Sequence, residues 1–296
     1  MTDVLVVGPG WLGSPVAVAL AEAGHQVWTL SRSGSAAPAG CTAVAGDIAL
    51  AVTREGRASL LARLPHTIRH LVVCVAPSSS RGDSYAIYPA AARGAAALAE
   101  ALGVTSVVYV SSTGIYDRQD GSEVNEHTLI EPTNDRVQVL FDAERLMLAA
   151  ATACRAVHVL RAAGLYGPGR DPAARFAAGA TPSRIWCNFS WRDDVVSAIA
   201  HCLALPPSGA GAVFNCTDNT PVRAGDIAQA LTGRPADDTV TAGAAGAVAG
   251  PVRAGRSNQR ISSAALLNAG WRPEVPDVYA GLRRLGHALP GRDGVS

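Results

Sequence analysis

The stretch Gly8-Pro9-Gly10-Trp11-Leu12-Gly13 decides the fold of this chain. It follows the apolar run Asp3-Val4-Leu5-Val6-Val7 and precedes the helix-forming residues 16–23. A strand, a glycine turn and a helix at this spacing indicate a dinucleotide-binding site: Gly8 permits the turn, Gly10 leaves room for a pyrophosphate, and Gly13 permits close helix packing. We therefore predict cofactor contacts from Gly8, Gly10, Trp11, Leu12 and Gly13. An ordinary glycine-containing turn is the alternative.

The composition narrows the classes of protein and partner. The chain has 296 residues, of which 48% are hydrophobic, and this is enough for a large buried core. A formal net charge of +1 argues against binding to nucleic acid or to an anionic membrane surface. No run of about eighteen uninterrupted apolar residues predicts a membrane span. We expect a soluble, cytoplasmic protein.

Three residue types restrict the chemistry. The six cysteines form no CxxC pair, which favours buried free thiols over a disulfide framework. The seven histidines show no metal-ligand spacing, so we predict no metal site. The 25 basic residues are all arginine, so the chain has no lysine. A Schiff base, a P-loop lysine and a Tyr-Lys catalytic pair are excluded.

The second predicted strand, 26–30, bears on the choice of cofactor. It ends in Leu30-Ser31-Arg32-Ser33. In a dinucleotide-binding fold, this position faces the adenosine ribose, where an acidic residue selects NAD and an arginine accommodates the 2′-phosphate of NADP. We predict NADP, bound by Ser31, Arg32 and Ser33, with NAD possible. A solvated loop arginine is the alternative.

Further strands and helices alternate as far as residue 160. Asp47 and Ile48 follow the third strand, where Asp47 either contacts adenine or caps the next helix. Val75 and Ala76 end the apolar fourth strand and Pro77 follows it, at the edge where the nicotinamide half would lie. The predicted elements are strands 41–45, 70–76, 106–110, 156–160 and 213–216 and helices 54–64, 84–102, 136–151, 195–205, 224–231, 262–269 and 278–287.

This alternation predicts an α/β fold, a doubly wound parallel sheet (Rossmann) with a smaller C-terminal substrate-binding region. Residues 1–160 form the predicted dinucleotide-binding core. Residues 161–296 form mainly the substrate-binding region and return some elements to the core. Ligands of such sheets bind beyond the carboxyl ends of the strands.

Four further motifs occur in an order that resembles one family, extended-type short-chain dehydrogenases/reductases, often labelled NAD-dependent epimerase/dehydratase. The resemblance covers nearly all of the chain. It implies a catalytic serine at Ser112, and cofactor contacts at Ser111 and Ala163. The motifs are Val108-Tyr109-Val110-Ser111-Ser112-Thr113-Gly114-Ile115-Tyr116, Leu160-Arg161-Ala162-Ala163-Gly164-Leu165-Tyr166-Gly167-Pro168-Gly169, Phe189-Ser190-Trp191-Arg192-Asp193-Asp194-Val195 and Phe214-Asn215-Cys216-Thr217-Asp218.

The helix after the fifth strand departs from the family pattern. That family uses a Tyr-x-x-x-Lys pair there, with the tyrosine as the proton donor or acceptor. Anchoring on Glu144, which resembles a glutamate that follows the pair, puts Arg136 at the tyrosine position and Leu140 at the lysine position. The chain therefore resembles atypical members that lack the pair.

Each remaining candidate residue has both a functional and a structural interpretation. Ser112 is a candidate hydrogen-bond donor to a substrate carbonyl, or a cap at the end of the strand. Tyr116 is a candidate replacement proton donor, or a packing residue. Candidate substrate contacts are Ser78, Arg136, Arg170 and Trp191; an exposed helix-start arginine and a packed tryptophan are the alternatives for Arg136 and Trp191.

Three functions fit these residues. The first is an NADP-dependent reductase that transfers hydride to a carbonyl or imine of a small metabolite. The second is an epimerase or dehydratase that acts on a sugar-like or nucleotide-linked metabolite. The third is a non-catalytic NADP-binding sensor or partner-binding protein. A homodimer through helices 84–102 and 136–151 is a further expectation.

Overall fold

The computed structural model describes residues 2–34, 37–77, 84–234 and 257–289. The predicted substrate residue Ser78 lies outside the described residues. The strands are β1 (Asp3–Val7), β2 (Gln26–Ser31), β3 (Cys41–Ala45), β4 (Ile68–Val73), β5 (Ser106–Ser112), β6 (Glu123–Val124), β7 (Ala156–Ala162), β8 (Gly164–Tyr166), β9 (Trp186–Cys187), β10 (Phe189–Trp191), β11 (Ala212–Cys216), β12 (Val222–Arg223) and β13 (Arg260–Ile261).

Helices occur between and after these strands along the chain. They are α1 (Gly13–Glu22), α2 (Arg54–Leu61), α3 (Ile87–Leu102), α4 (Asp135–Leu148), α5 (Ala173–Ala177), α6 (Arg192–Ala204), α7 (Ala224–Thr232), α8 (Ala264–Asn268) and α9 (Val278–Arg284), with short 3₁₀ helices at Ile48–Val52 and Thr113–Ile115.

A seven-stranded sheet confirms the predicted doubly wound α/β fold. Its strand order is β11-β7-β5-β4-β1-β2-β3. β1 lies between β2 and β4 and is parallel to both, with Val7 opposite Leu30 and Val73. The chain order reverses at β1, and a reversal of this kind opens a crevice at the carboxyl ends of the strands. The glycine turn follows β1 directly, so the turn lies at that crevice.

Burial on both faces explains why the central strands are continuous apolar runs. Val4 to Val7 of β1 and Leu71 to Val73 of β4 are all at most 3% exposed. Helix α3 packs so closely on the 3₁₀ helix that a Cβ at Gly94 would collide with the carbonyl oxygen of Ile48. The alanines of α3 permit the same close approach to α4. Homodimerisation through these two helices stays a prediction.

The chain divides into two compact units. The first comprises residues 1–115, 130–161 and 195–214. The second comprises residues 116–129, 162–194 and 215–296, and it has its own core around Phe176, Phe189 and Trp191. The second unit therefore begins with a segment, 116–129, that precedes the predicted boundary at residue 160. Its predicted role in substrate binding stays a prediction.

The predicted elements are present with bounds that differ by up to about three residues, so that strand 70–76 is Ile68–Val73, and the shortest strands were missed. Strand β3 has the predicted bounds, whereas β6, β8, β9, β10, β12 and β13 are two- or three-residue strands too short to show a periodicity. All six cysteines are free thiols, but only Cys202 and Cys216 are buried, which corrects the expectation that all are: Cys154 is exposed, and Cys41, Cys74 and Cys187 are half-buried. No helix among the described residues is long and apolar enough to cross a membrane.

Candidate active site

The glycine turn after β1 is held by close backbone packing. Gly8 has a φ of +85°, and a Cβ there would lie 2.8 Å from the carbonyl oxygen of Cys74. A Cβ at Gly13 would collide with the carbonyl oxygen of Gly8. Both positions therefore require glycine for the fold itself, which confirms the predicted turn and packing roles of Gly8 and Gly13.

Gly10 differs from the other two glycines. It is exposed, it is not among the residues with positive φ, and among the described residues a Cβ there would meet no atom nearer than the oxygen of Gly8 at 4.0 Å. The described part of the fold therefore has room for a side chain at position 10. A pyrophosphate lying against the backbone would require that room, so the turn fits a dinucleotide.

Helix α1 begins directly after this turn. Trp11 and Leu12 are half-buried, the described side chains do not cap the helix, and its first turn contains no acidic residue. An uncapped helix N-terminus has backbone N–H groups and a partial positive charge available for an anion.

The end of β2 carries the predicted ribose-facing residues. Ser31 is half-buried, and its carbonyl oxygen accepts hydrogen bonds from the N–H groups of Gly34 and Gly46. Arg32 and Ser33 are exposed in the following turn. The turn therefore holds a guanidinium at the predicted position.

The cofactor residues predicted near the ends of β3 and β4 differ in burial and in hydrogen bonding. The Asp47 side chain accepts the N–H of Ala49 at 2.9 Å and caps the 3₁₀ helix, as the capping alternative predicted. Ile48 is buried in the core of the first unit. Ala76 is exposed, and Val75 and Pro77 are half-buried. Their contacts with a cofactor stay predictions.

Ser112 is the last residue of β5. Its Oγ accepts the N–H of Gly114 at 3.1 Å, which is the capping arrangement weighed for it. Because the hydroxyl oxygen is the acceptor in this bond, the hydroxyl proton remains able to donate to another group.

The guanidinium of Arg136 lies beside Ser112. Arg136 is in the first turn of α4. A Cβ at Gly114 would lie 2.6 Å from Nη2 of Arg136 and 3.3 Å from Oγ of Ser112. The Arg136 side chain therefore fills the space over Gly114 that any larger residue would occupy. Tertiary packing brings together two of the predicted site residues.

A buried ionic cluster lies next to the end of β5. Arg161 contacts both carboxylate oxygens of Glu144, the shortest contact being 2.6 Å from Nη2 to Oε2. Ser111 donates its hydroxyl to Oε1 of Glu144 at 2.6 Å. All three residues are at most 7% exposed. The predicted cofactor residue Ser111 therefore has a scaffolding contact, and its cofactor contact stays a prediction.

Tyr116 belongs to the second unit and is buried. Its hydroxyl donates to Oδ1 of Asn215 at 2.8 Å, and the tyrosine is only 3% exposed. This contact holds two segments of the second unit together, which is the packing role weighed for this residue. A role as proton donor stays a prediction.

The other candidates of the second unit are placed as follows. The N–H of Ala163 donates to Oγ of Ser190 at 3.0 Å. Trp191 is 6% exposed and packs edge-to-face on Tyr166, with ring centroids 5.3 Å apart. Trp191 therefore lies in the core of the unit, as the packing alternative predicted, while Arg170 is exposed.

Comparison with known proteins identifies the family. A model of the NAD dependent epimerase/dehydratase family matches residues 4–216. The chain belongs to that family. The described residues contain no cluster of His, Cys, Asp or Glu suited to a metal ion.

Relatives of this epimerase/dehydratase family member include proteins of known structure. Protein YeeZ of Escherichia coli K12 is 29% identical over 222 residues, which cover 71% of this chain and 76% of that protein. A structure described as an NAD-dependent epimerase/dehydratase from Methylobacillus flagellatus is 28% identical, with a TM-score of 0.71 and coverage of 96% of this chain and 97% of the other. UDP-glucose 4-epimerase of Thermus thermophilus, complexed with NAD, is 20% identical, with a TM-score of 0.72 and coverage of 95% and 97%. This last likeness shows the fold alone.

Substituting Tyr116 by phenylalanine tests its packing role. Asn215 is completely buried, so loss of the tyrosine hydroxyl leaves its Oδ1 without that donor. We expect the free energy of unfolding in urea to fall by about 1–3 kcal/mol. Tyr109→Phe is the matched control, because the buried Tyr109 hydroxyl has no hydrogen-bond partner among the described residues, and its removal is expected to be neutral or stabilising. Equal stability of the two variants would contradict the packing role.

Proposed function

We propose that this epimerase/dehydratase family member is an NADP-dependent oxidoreductase that transfers hydride to the carbonyl or imine carbon of a small metabolite. The observation that carries the proposal is the meeting of Ser112 and Arg136 at Gly114. They meet beyond the carboxyl end of β5, on the sheet edge to which the glycine turn after β1 also belongs. Ligands of doubly wound sheets bind at that edge.

The residues of the glycine turn would hold the cofactor. Gly10 leaves room for a pyrophosphate, and the uncapped start of α1 attracts its charge. Arg32 at the end of β2 suits a 2′-phosphate, since a guanidinium forms paired hydrogen bonds with phosphate oxygens. NAD is the cofactor in the Thermus epimerase complex, so our choice of NADP depends on Arg32. When bound, a reduced nicotinamide supplies a hydride.

Ser112 would donate its hydroxyl to the carbonyl oxygen as negative charge develops there. Its Oγ is oriented by the N–H of Gly114, so little reorganisation is needed. Removal of a preoriented donor of this kind costs about 2.7–4 kcal/mol of transition-state stabilisation. The side chain of Ser112 therefore polarises the carbonyl rather than supplying the proton.

Solvent water is the proposed proton source. A Tyr-Lys pair is absent because the chain has no lysine. The hydroxyl of Tyr116 already donates to buried Asn215. Guanidinium groups are not deprotonated in proteins, so arginine side chains are not proton donors. Water reaching the substrate oxygen is the remaining donor.

An epimerase or dehydratase acting on a nucleotide-linked sugar is the second candidate. Family membership and the likeness to UDP-glucose 4-epimerase favour it. Such an enzyme would keep its nucleotide oxidised overall, whereas a reductase consumes NADPH stoichiometrically. Measuring whether NADPH is consumed in proportion to product therefore distinguishes a reductase from an epimerase or dehydratase.

The cofactor site is tested by titrating the protein with NADPH and NADH while tryptophan fluorescence is recorded, since Trp11 lies in the turn. We expect NADPH to bind at least tenfold more tightly than NADH, and Arg32→Ala to remove this preference. Gly10→Ala is expected to unfold at the wild-type urea concentration but to lose binding of both nucleotides, because the added methyl group fills only the pyrophosphate space.

The outcomes separate the alternatives. Equal affinity for both nucleotides would overturn the NADP assignment. Normal binding by Gly10→Ala would contradict the placement of the pyrophosphate. Tight NADPH binding without oxidation by any carbonyl or imine compound would leave a nucleotide-binding sensor as the better description.

A further inference from the structure

We infer that the substrate carries a carboxylate directly adjacent to its reacting carbonyl or imine carbon, and that Arg136 binds this carboxylate. The inference rests on the proposed function, because Ser112 must contact the oxygen or nitrogen of the reacting group. It adds the class of substrate, a 2-oxo or 2-imino acid, and the side chain that selects it.

The separation of the two donors defines a two-point site. Nη2 of Arg136 and Oγ of Ser112 both lie within 3.3 Å of a single point, the Cβ position that Gly114 lacks. Two donors that both lie near one point can contact oxygen atoms on neighbouring carbon atoms of one small molecule. A 2-oxo acid has this arrangement, with the keto oxygen for Ser112 and the carboxylate for Arg136.

The charge of Arg136 supports an anionic group. Among the described residues, three arginines have carboxylate partners, and others donate to backbone carbonyl oxygens, as Arg63 and Arg155 do; the ion pairs are Arg161 with Glu144, Arg192 with Asp193 and Arg284 with Glu274. Arg136 forms no ion pair or hydrogen bond with any residue in the ranges that the structure describes.

Burial strengthens this argument. The Arg136 side chain is half-buried against Gly114, so its guanidinium is partly removed from water without an ion-pair partner among the described residues. The planar N–H fork of a guanidinium matches a carboxylate, and such paired contacts are the stronger class of hydrogen bond. A bound carboxylate would supply the negative charge that the described residues do not place beside Arg136.

Gly114 determines where the guanidinium lies. Its φ is outside the positive region, so the backbone tolerates alanine there. The atom nearest to an added Cβ is the far end of the flexible Arg136 side chain, at 2.6 Å. Gly114→Ala would therefore displace the guanidinium while leaving its charge in the protein.

The reaction with a 2-oxo acid balances as follows. A bound reduced nicotinamide dinucleotide would supply the hydride that forms the C–H bond at the keto carbon, and the carbon–oxygen π electrons would move to the oxygen. Water would protonate that oxygen and become hydroxide. The products are a 2-hydroxy acid and the oxidised dinucleotide, and a 2-imino acid gives an amino acid in the same way. Arg136 neutralises the adjacent carboxylate, which would otherwise repel the approaching hydride.

The kinetic test compares matched substrates. Oxidation of NADPH is followed with 2-oxo acids whose side chains range from methyl to benzyl, each paired with its neutral 2-oxo amide. We expect the wild-type protein to prefer an acid over its amide by roughly 10- to 100-fold in kcat/KM. Arg136→Gln is expected to remove the preference by raising KM for the acid. Gly114→Ala is expected to weaken the preference, and Arg145→Gln, an exposed change on the same helix, is expected to retain it.

A binding test needs no turnover. Calorimetry in the presence of NADP⁺ compares oxamate, which has a carboxylate beside a carbonyl, with neutral oxamide. We expect oxamate to bind to the wild-type protein and to Arg145→Gln but not to Arg136→Gln. A merely structural role of Arg136 would not produce this charge-specific loss.

The outcomes distinguish the two proposals. Amides reduced as fast as acids would overturn the carboxylate inference and leave the reductase function standing. If Arg136→Gln kept the preference for acids, the carboxylate inference would also be overturned and the reductase function would stand. If no compound causes oxidation of NADPH, the reductase function is overturned. The carboxylate inference is then tested by the binding experiment alone, and failure of oxamate to bind overturns it.

Discussion

Replacing Glu144 by glutamine is expected to lower the free energy of unfolding by about 3–5 kcal/mol, the usual cost of leaving one partner of a buried ion pair without its counter-charge. Glu144 and Arg161 are at most 4% exposed, and Arg161 contacts both carboxylate oxygens. In the variant, the arginine remains charged and buried among β5, α4 and β7. A loss of this size is a large fraction of the stability of a typical domain, about 5–15 kcal/mol.

Urea unfolding of a double-mutant cycle measures the effect. Beside Glu144→Gln, the cycle contains the single variants Glu144→Leu and Arg161→Met, each of which leaves a buried charged partner, and the double variant that combines these two substitutions and removes both charges. We expect the double variant to be more stable than either single variant, since an apolar replacement of a buried pair is often neutral or stabilising. Additive losses in the cycle would contradict the pairing argument.

Replacing Asp218 by asparagine is expected to stabilise the protein at neutral and alkaline pH. Asp218 is 8% exposed, its Oδ1 accepts the N–H of Thr220 at 3.0 Å, and its Oδ2 has no hydrogen-bond partner among the described residues. Burial raises the pKa of Asp218 to about 8, and the nearby Asp277 and Asp194 contribute to the rise. The folded protein therefore holds a carboxyl group where water is excluded.

The direction of the pH dependence follows from proton binding. Because the pKa of Asp218 is higher in the folded than in the unfolded chain, the folded protein binds the proton more tightly, so stability falls as pH rises. The contribution is complete below about pH 4, the unfolded pKa of an aspartate, and it is lost progressively up to the folded pKa of about 8. An asparagine side chain at this position would carry no charge at any pH.

Unfolding free energies between pH 5 and pH 9 measure this difference. We expect the gain of Asp218→Asn over wild type to increase with pH and to reach several kcal/mol, on the order of 5, above pH 8, since each unit of pKa shift corresponds to about 1.4 kcal/mol. Asp226→Asn, at an exposed position, is the matched control and is expected to show no such increase. A constant difference across the pH range would contradict the buried, protonated Asp218.

The strands and helices of the first unit could be predicted from the sequence because their signals are local. Continuous apolar runs indicated β1 and β4, and Ala-rich periodicity indicated α3. The short strands of the second unit were missed, because two or three residues contain no period. Their pairing depends on neighbours distant in the chain, such as Arg223 with Trp186.

The sequence predicted individual residues of the candidate site but not which of them lie close together. Ser112 and Arg136 were both named from the motif and its departure, yet nothing in the sequence placed them on the same side of Gly114. Glu144 served only to align the motif, although the structure puts it at the centre of a buried ionic cluster. The sequence showed Asp218 only as part of a motif. Its raised pKa comes from burial in the tertiary structure, which the sequence does not show.

The sequence by itself determined the class of fold and the glycine turn, because glycine spacing and apolar periodicity act through the backbone over a few neighbouring residues. Only the tertiary structure decided which side chains share a site. Arg136 lies 22 residues beyond Gly114 in the numbering, and Arg161 lies 17 residues beyond Glu144. Contacts over such separations depend on how helices pack on the sheet, and that packing is set by the whole core rather than by any one stretch.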